Sequence, residues 1–346
     1  MSDPAKVVPI KKGRRRPKRT AGPSEADELR QRVIELERQL ADGRKTHREK
    51  GDEGLLVTLA RLVASGAGGV SWASLARLQR AAYFAWHSED TDDFGSDRRF
   101  AETLEPVLEF LYAVWWRVET SGIEHVPAQG RGLVVANHSG VLPYDGIMMQ
   151  LAIRHEHPAR RVCRMLALDM FALLPVLAPM LSKSGSVRAN PANAERLLNR
   201  DELVGVFPEG VKGVGKRFKD RYQLARFGRG GFIRIALRTG SPIIPCAIVG
   251  AEEIHPVVAK ADWVGRPFGL PYFPITPTFP MLGPLGVIPL PTKWSIDFGD
   301  PQDLSEYGPD DARDPILVNR LSQQVRETVQ KMIDGRVARR RSVWFG

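Results

Sequence analysis

The strongest constraint on the fold is an alternation of short apolar runs with amphipathic ones. Residues 133–136, 162–166, 203–207, 243–249 and 294–298 form brief apolar runs bounded by turn formers. Runs of that length, apolar on both faces, read as interior strands. Between them lie segments with helical spacing: one beginning at Gly146, then 191–199, 232–238 and 316–333. Such alternation predicts an α/β domain with a central, mostly parallel or mixed sheet flanked by helices. In such folds the chemistry sits at the carboxyl ends of the strands.

Two strand ends carry candidate groups. After 133–136 the chain reads Asn137-His138-Ser139-Gly140-Val141-Leu142-Pro143-Tyr144-Asp145-Gly146. A His at a strand end with an Asp at the following helix start fits a general base oriented by a carboxylate. The same two residues also fit a strand-end His and an ordinary N-cap. After 203–207 the run Phe207-Pro208-Glu209-Gly210 breaks the strand at once. Together these stretches resemble the glycerolipid acyltransferase family, the relatives of lysophosphatidic acid acyltransferases. Gly185-Ser186-Val187-Arg188 lies where that family has a Gly…Arg motif, with the Arg closer to the Gly here. Ser241-Pro242-Ile243-Ile244-Pro245 lies where it has an apolar, Pro-bounded strand. The motifs follow the family's order across roughly residues 100–300. Six residues separate His138 from Asp145, a longer interval than the family pattern, which resembles the branch with diacylglycerol-type acyltransferases.

The resemblance implies an O-acyltransferase that moves a fatty acyl group from acyl-CoA or acyl carrier protein to a lipid hydroxyl. A lysophospholipid or a glycerol-3-phosphate derivative is the expected acceptor. His138 would take the hydroxyl proton and Asp145 would hold the imidazole. Glu209 and Gly210 would form the acceptor-binding turn, and Arg188 and Lys212 would hold a phosphate. Backbone N–H groups near Gly140 would meet the oxyanion. No metal and no cofactor is implied, acyl-CoA being a co-substrate. Other readings remain open: a neutral acceptor such as diacylglycerol or a long-chain alcohol, or a membrane- or nucleic-acid-binding protein with a silent acyltransferase-like domain. A hydrolase using the same pair lacks a Gly-x-Ser-x-Gly elbow.

Charge separates the N-terminus from the rest. The net charge is +10, and Lys11 to Arg19 alone holds seven cations. Residues 1–24 read as a disordered basic tail, either solvated with no fixed partner or drawn to an anionic membrane surface, with nucleic acid the less fitting choice beside a lipid enzyme. Residues 25–95 read as short helices and linkers, and 96–346 as the acyltransferase-like domain, with its start in the acidic run after Glu89. Residues 103–120 read as one apolar helix whose paired Trp115 and Trp116 suit a core or a membrane interface. Residues 264–290, rich in Pro, Gly and aromatics, offer an acyl pocket, a lipid contact or a packed loop. His155, Glu156 and His157 read as an exposed loop, and Lys216 to Lys219 as a solvated basic patch. The two cysteines, Cys163 and Cys246, read as buried and inert. The basic N-terminus lacks the apolar run of a secretory signal. A span at 162–181 is excluded by Asp169, which would cost about 3 kcal/mol at a bilayer centre. The expected setting is cytoplasmic, with peripheral attachment to membranes.

Overall fold

The computed structural model describes residues 90–346 apart from 140–141, 169–176 and 266–271. The basic tail, nearly all of the N-terminal helical region and the Gly140 turn therefore lie outside the described residues.

The described strands are β1 (Glu119–Ser121), β2 (Gly132–Ala136), β3 (Cys163–Ala167), β4 (Val187–Arg188), β5 (Leu203–Val206), β6 (Ile243–Val249), β7 (Ala259–Ala261), β8 (Phe273–Ile275) and β9 (Ser295–Phe298). Seven of them form one sheet in the order β1-β9-β6-β2-β5-β3-β4, while β7 and β8 pair separately. Strands β6, β2, β5, β3 and β4 are mutually parallel; β9 runs antiparallel to β6, and β1 parallel to β9. This is the mixed, mostly parallel sheet that the alternation predicts. The helices are α1 (Arg98–Phe110), α2 (Tyr144–Glu156), α3 (Leu177–Lys183), α4 (Pro191–Leu198), α5 (Val211–Val214), α6 (Gly231–Thr239), α7 (Asp262–Gly265) and α8 (Pro315–Arg339).

Both faces of the sheet are covered, which is why its strands are apolar without alternation. Leu133 and Val135 of β2 point to a core with α4, α6 and α8, built on Leu197, Ile233, Leu237, Val325 and Val329. Val134 and Ala136 point the other way, toward Met148, Met149 and Ile153 of α2 and toward Trp116 and Trp294. Helix starts follow local chemistry. Asn190 and Asp314 cap α4 and α8, each with Pro in the first turn.

Several sequence expectations need correction. The apolar segment 103–120 is not one helix: α1 begins at Arg98, gives way to a π-helical turn at Leu111–Trp115, and the chain enters β1 by Glu119. Trp116 is in the core, stacked on Trp294 at 4.6 Å. His155 and Glu156 form the last turn of α2, and His157 is buried with Nε2 at 2.9 Å from the Val126 carbonyl. His155 and Glu156 are exposed as expected, but on a helix and not in a loop. In the acidic run after Glu89, where the domain is expected to start, Asp93 pairs with Arg196 and Arg200.

The centre of the sheet sets up the site. Val135 of β2 lies opposite Val206 of β5 on one side and Pro245 of β6 on the other. The chains leaving β2 and β5 therefore emerge side by side, at the carboxyl edge. Asn137 secures that exit: its side chain donates to the Ile248 carbonyl at 2.9 Å and accepts from the Ile248 N–H at 2.7 Å.

Candidate functional site

His138 follows Asn137 and is 4% exposed. Asp145 lies in the first turn of α2 and is completely buried. The six-residue interval folds back, so that His138 Nδ1 donates to Asp145 Oδ2 at 2.6 Å. The same oxygen accepts from the Ser139 N–H at 2.8 Å, and Oδ1 accepts from the Gly146 N–H at 2.8 Å. Asp145 thus has three donors and the positive end of a helix around it. The His138 ring stacks on Phe207, the first residue past β5, with centroids 4.5 Å apart and planes 12° apart. The two strand ends meet at the imidazole.

Beside the ring lies an apolar cleft lined by Ile147, Met165, Leu166, Leu168, Leu181 and Phe207. Its walls come from α2, β3 and α3. Among the described residues, segment 264–290 does not line it, so the pocket role offered for that stretch is not met there. Ser186 reaches the cleft, and Arg188 follows two residues later, exposed at the start of the sheet edge. Lys212 is exposed on α5, next to Gly213. Neither Arg188 nor Lys212 is among the residues that line the cleft; Arg188 lies beside Ala167 in the β3–β4 register, and Lys212 precedes Gly213, which packs on His138.

Glu209 is placed differently from the acceptor-facing position that the motif implies. Its side chain has no exposed surface. Oε1 accepts from the His138 N–H at 2.9 Å, and Oε2 accepts from the Ala225 N–H at 2.7 Å. Lys216 Nζ lies 3.4 Å from Oε2 and 2.8 Å from Glu252 Oε1. The carboxylate is thus given over to the protein, and the turn meets His138 from behind. Gly210 makes that turn: with φ +56° and ψ −143° it adopts a conformation that side chains disfavour. Its N–H closes onto the Phe207 carbonyl at 3.1 Å.

Lys216, read as part of a surface patch, is almost wholly buried. Burial alone would lower its pKa, but the Glu252 and Glu209 carboxylates outweigh that and raise it, which keeps the ammonium charged. Burial raises the Glu252 pKa against the same ammonium. A positive neighbour for Glu209 was within reach of sequence reasoning, seven residues on; Glu252 was not. The cysteines are buried as expected, and burial pushes the Cys163 thiol to about 12. Glu105, Glu109 and His155 lie close enough together to face a cation, but Arg154 pairs with Glu105 at 3.3 Å in the same place.

An α/β sheet with a buried His–carboxylate pair at its carboxyl edge is a scaffold on which enzymes are built. The acyltransferase family model matches residues 117–249, the stretch from β1 through β6 that holds the pair. Uncharacterized proteins of Mycobacterium tuberculosis and Mycobacterium leprae are 51% and 50% identical to the chain over 256 residues, 74% of it and 72% and 70% of them. The chain belongs to the acyltransferase family and is an acyltransferase, as the motifs led one to expect. It is also 24% identical over 236 residues to the bovine DGAT1/2-independent enzyme synthesizing storage lipids, covering 67% of this chain and 64% of that one. The crystal structure of the 1-acyl-sn-glycerophosphate acyltransferase PlsC from Thermotoga maritima aligns at a TM-score of 0.44 and 16% identity, covering 86% of this chain and 100% of that one.

One glycine is pressed against His138 and Glu209. A Cβ on Gly213 would lie 2.7 Å from the His138 Cβ and 2.8 Å from the Glu209 Cβ. Gly213→Ala is expected to destabilise the fold by about 1–3 kcal/mol through overpacking, read as a lower urea midpoint. Gly231→Ala, with nothing within 4 Å, should leave the midpoint unchanged or higher. An unchanged midpoint for Gly213→Ala would mean that α5 slides freely away from His138.

Proposed function

We propose that the protein transfers a fatty acyl group from a thioester, acyl-CoA or acyl carrier protein, to a lipid hydroxyl, with His138 as general base. The observation that carries this reading is the His138–Asp145 contact of 2.6 Å beside an apolar cleft. With Nδ1–H given to Asp145, Nε2 is the ring nitrogen left to take a proton. The acceptor oxygen attacks the thioester carbonyl as His138 removes its proton. The C–S bond then breaks, and the proton passes to the departing thiolate. Asp145 holds the ring's tautomer and steadies the imidazolium that forms. The aliphatic and aromatic lining of the cleft is the kind of surface that an acyl chain would pack against. The backbone donors expected for the oxyanion fall at Gly140, outside the described residues.

The test is thiol release and product formation with a panel of acyl thioesters and lipid alcohols. His138→Ala is expected to lower turnover by roughly 10²–10⁴-fold with the fold intact, and Asp145→Asn should lower it severely through the wrong tautomer. Near-normal turnover in a folded His138→Ala protein would sink the mechanism.

Two acceptor classes each have an observation behind them. Arg188, two residues after Ser186 of the cleft, and Lys212, next to the Gly213 that packs on His138, favour a phosphorylated acceptor. The long His-to-Asp interval, and the relative named for storage-lipid synthesis, favour a neutral one. We place the phosphorylated acceptor first. Arg188→Ala and Lys212→Ala should then each raise its KM about tenfold, or 1.4 kcal/mol, and leave the KM of diacylglycerol alone. Equal small effects on both acceptors would remove these cations from substrate binding.

Membrane attachment belongs to the same reading, because the acceptor is a bilayer component. Among the described residues no helix is long and apolar enough to cross a membrane. Large apolar side chains are nonetheless exposed at Val114, Met281, Leu285 and Phe345. Peripheral binding is expected to combine these with the basic tail, each tail cation adding up to about 1 kcal/mol at an anionic surface. Flotation with anionic vesicles should weaken with salt but persist in part. Absence from the floated fraction at both low and high salt would refute it.

A further inference from the structure

The Glu209 carboxylate that grips His138 is itself held by a helix far down the chain. Arg326 on α8 donates from Nη2 to the Leu224 carbonyl at 2.6 Å and from Nε to the Ala225 carbonyl at 3.1 Å. The Leu224 carbonyl and the Ala225 N–H belong to a single peptide group, and that N–H is the one bound to Glu209 Oε2 at 2.7 Å. One peptide plane thus lies between a guanidinium on its oxygen and a carboxylate on its nitrogen. Each charge polarises the peptide toward the other, which strengthens both bonds. Gln330, one turn further along α8, accepts from the Leu224 N–H at 2.9 Å and donates to the Tyr222 carbonyl at 2.9 Å. Tyr222 itself stands at φ +66°, a backbone conformation that only firm surroundings maintain in a non-glycine residue.

We propose that Arg326 and Gln330 are positioning residues for acyl transfer, acting through the 222–225 backbone and Glu209 on the main chain of His138. The inference rests on the reading of His138 as the base. It goes beyond that reading because α8 lies outside residues 117–249, which the family model covers. Anchoring the helix does not require these two side chains: Val325, Val329 and Ile333 already bury its apolar face in the core. The polar pair instead reaches out to one loop, and that loop supplies one of the two N–H groups that hold Glu209.

Arg326→Met keeps the aliphatic stem and removes the donors. In amide hydrogen exchange of the full chain, the His138 N–H is expected to exchange about tenfold faster in Arg326→Met, a 1.4 kcal/mol loss of protection. It should be unchanged in Lys331→Met, an exposed change on the same helix. In turnover assays, kcat should fall about tenfold with KM little changed, since the lost order concerns the base and not substrate contact. Arg326→Lys should restore part of kcat. The decisive arm is a cycle with Glu209→Gln: once Glu209 is altered, adding Arg326→Met should cost no further kcat. Additive losses, or a His138 amide that exchanges at the wild-type rate in Arg326→Met, would overturn the proposal. Should the wild type transfer no acyl group, the reaction assigned above falls, while the exchange arm still decides whether Arg326 holds His138.

Discussion

A carboxylate with no exposed surface must find its donors inside the protein, and Glu209 finds them on separate segments. The His138 N–H comes from the loop after β2, the Ala225 N–H from the loop before α6, and the Lys216 ammonium from just past α5. Leaving any of these out would strand a buried charge at a cost of several kcal/mol. The three loops are thereby obliged to meet, and the meeting point is the main chain of the imidazole. The sheet supplies the coarse position, because β2 and β5 are neighbours in register. Glu209 supplies the fine one. Asp145 does the same for the ring that Glu209 does for the backbone, with its own pair of N–H donors.

How much of this can be read from the sequence depends on how local the cause is. The interior strands are legible because burial on both faces leaves an apolar run, and β6 at Ile243–Val249 carries its whole signal in seven residues. His138 and Asp145 are legible because strand end and helix start both lie within one short stretch. The edge strands β1 and β4 are not, since three and two residues are too few for any period. Lys216 looks like surface because its neighbours Arg217 and Lys219 are surface; what buries it is Glu252, far away in the chain. The role of Glu209 misleads for the opposite reason. Its motif is conspicuous, but a motif gives a residue's place in sequence and not the direction in which its oxygens point.

The cations show a similar division. Of the four arginines from Arg336 to Arg341, two are engaged with buried carboxylates inside the protein. Arg336 meets Asp297 at 3.2 Å and Arg340 meets Glu253 at 2.6 Å. Arg340 also donates to the Tyr222 hydroxyl and to two backbone carbonyls. Net charge therefore overstates what this face can offer to a partner. Arg188 and Lys212 are both exposed.

Asn137 deserves its place beside the imidazole for a reason of its own. Its amide offers Ile248 what a peptide group would, an N–H and a carbonyl, and completes the ladder where the main chain no longer does. The strand can thus stop hydrogen bonding through its backbone one residue early without leaving Ile248 unmet. The next N–H, the one on His138, faces the opposite side, toward the end of β5, where it meets Glu209. Aspartate would lack the donor and glutamine would overshoot by a methylene, so neither near-isostere reproduces the substitution of side chain for main chain. A rung made by a side chain keeps β6 paired to its end while the main chain of β2 is already leaving the sheet toward its chemistry.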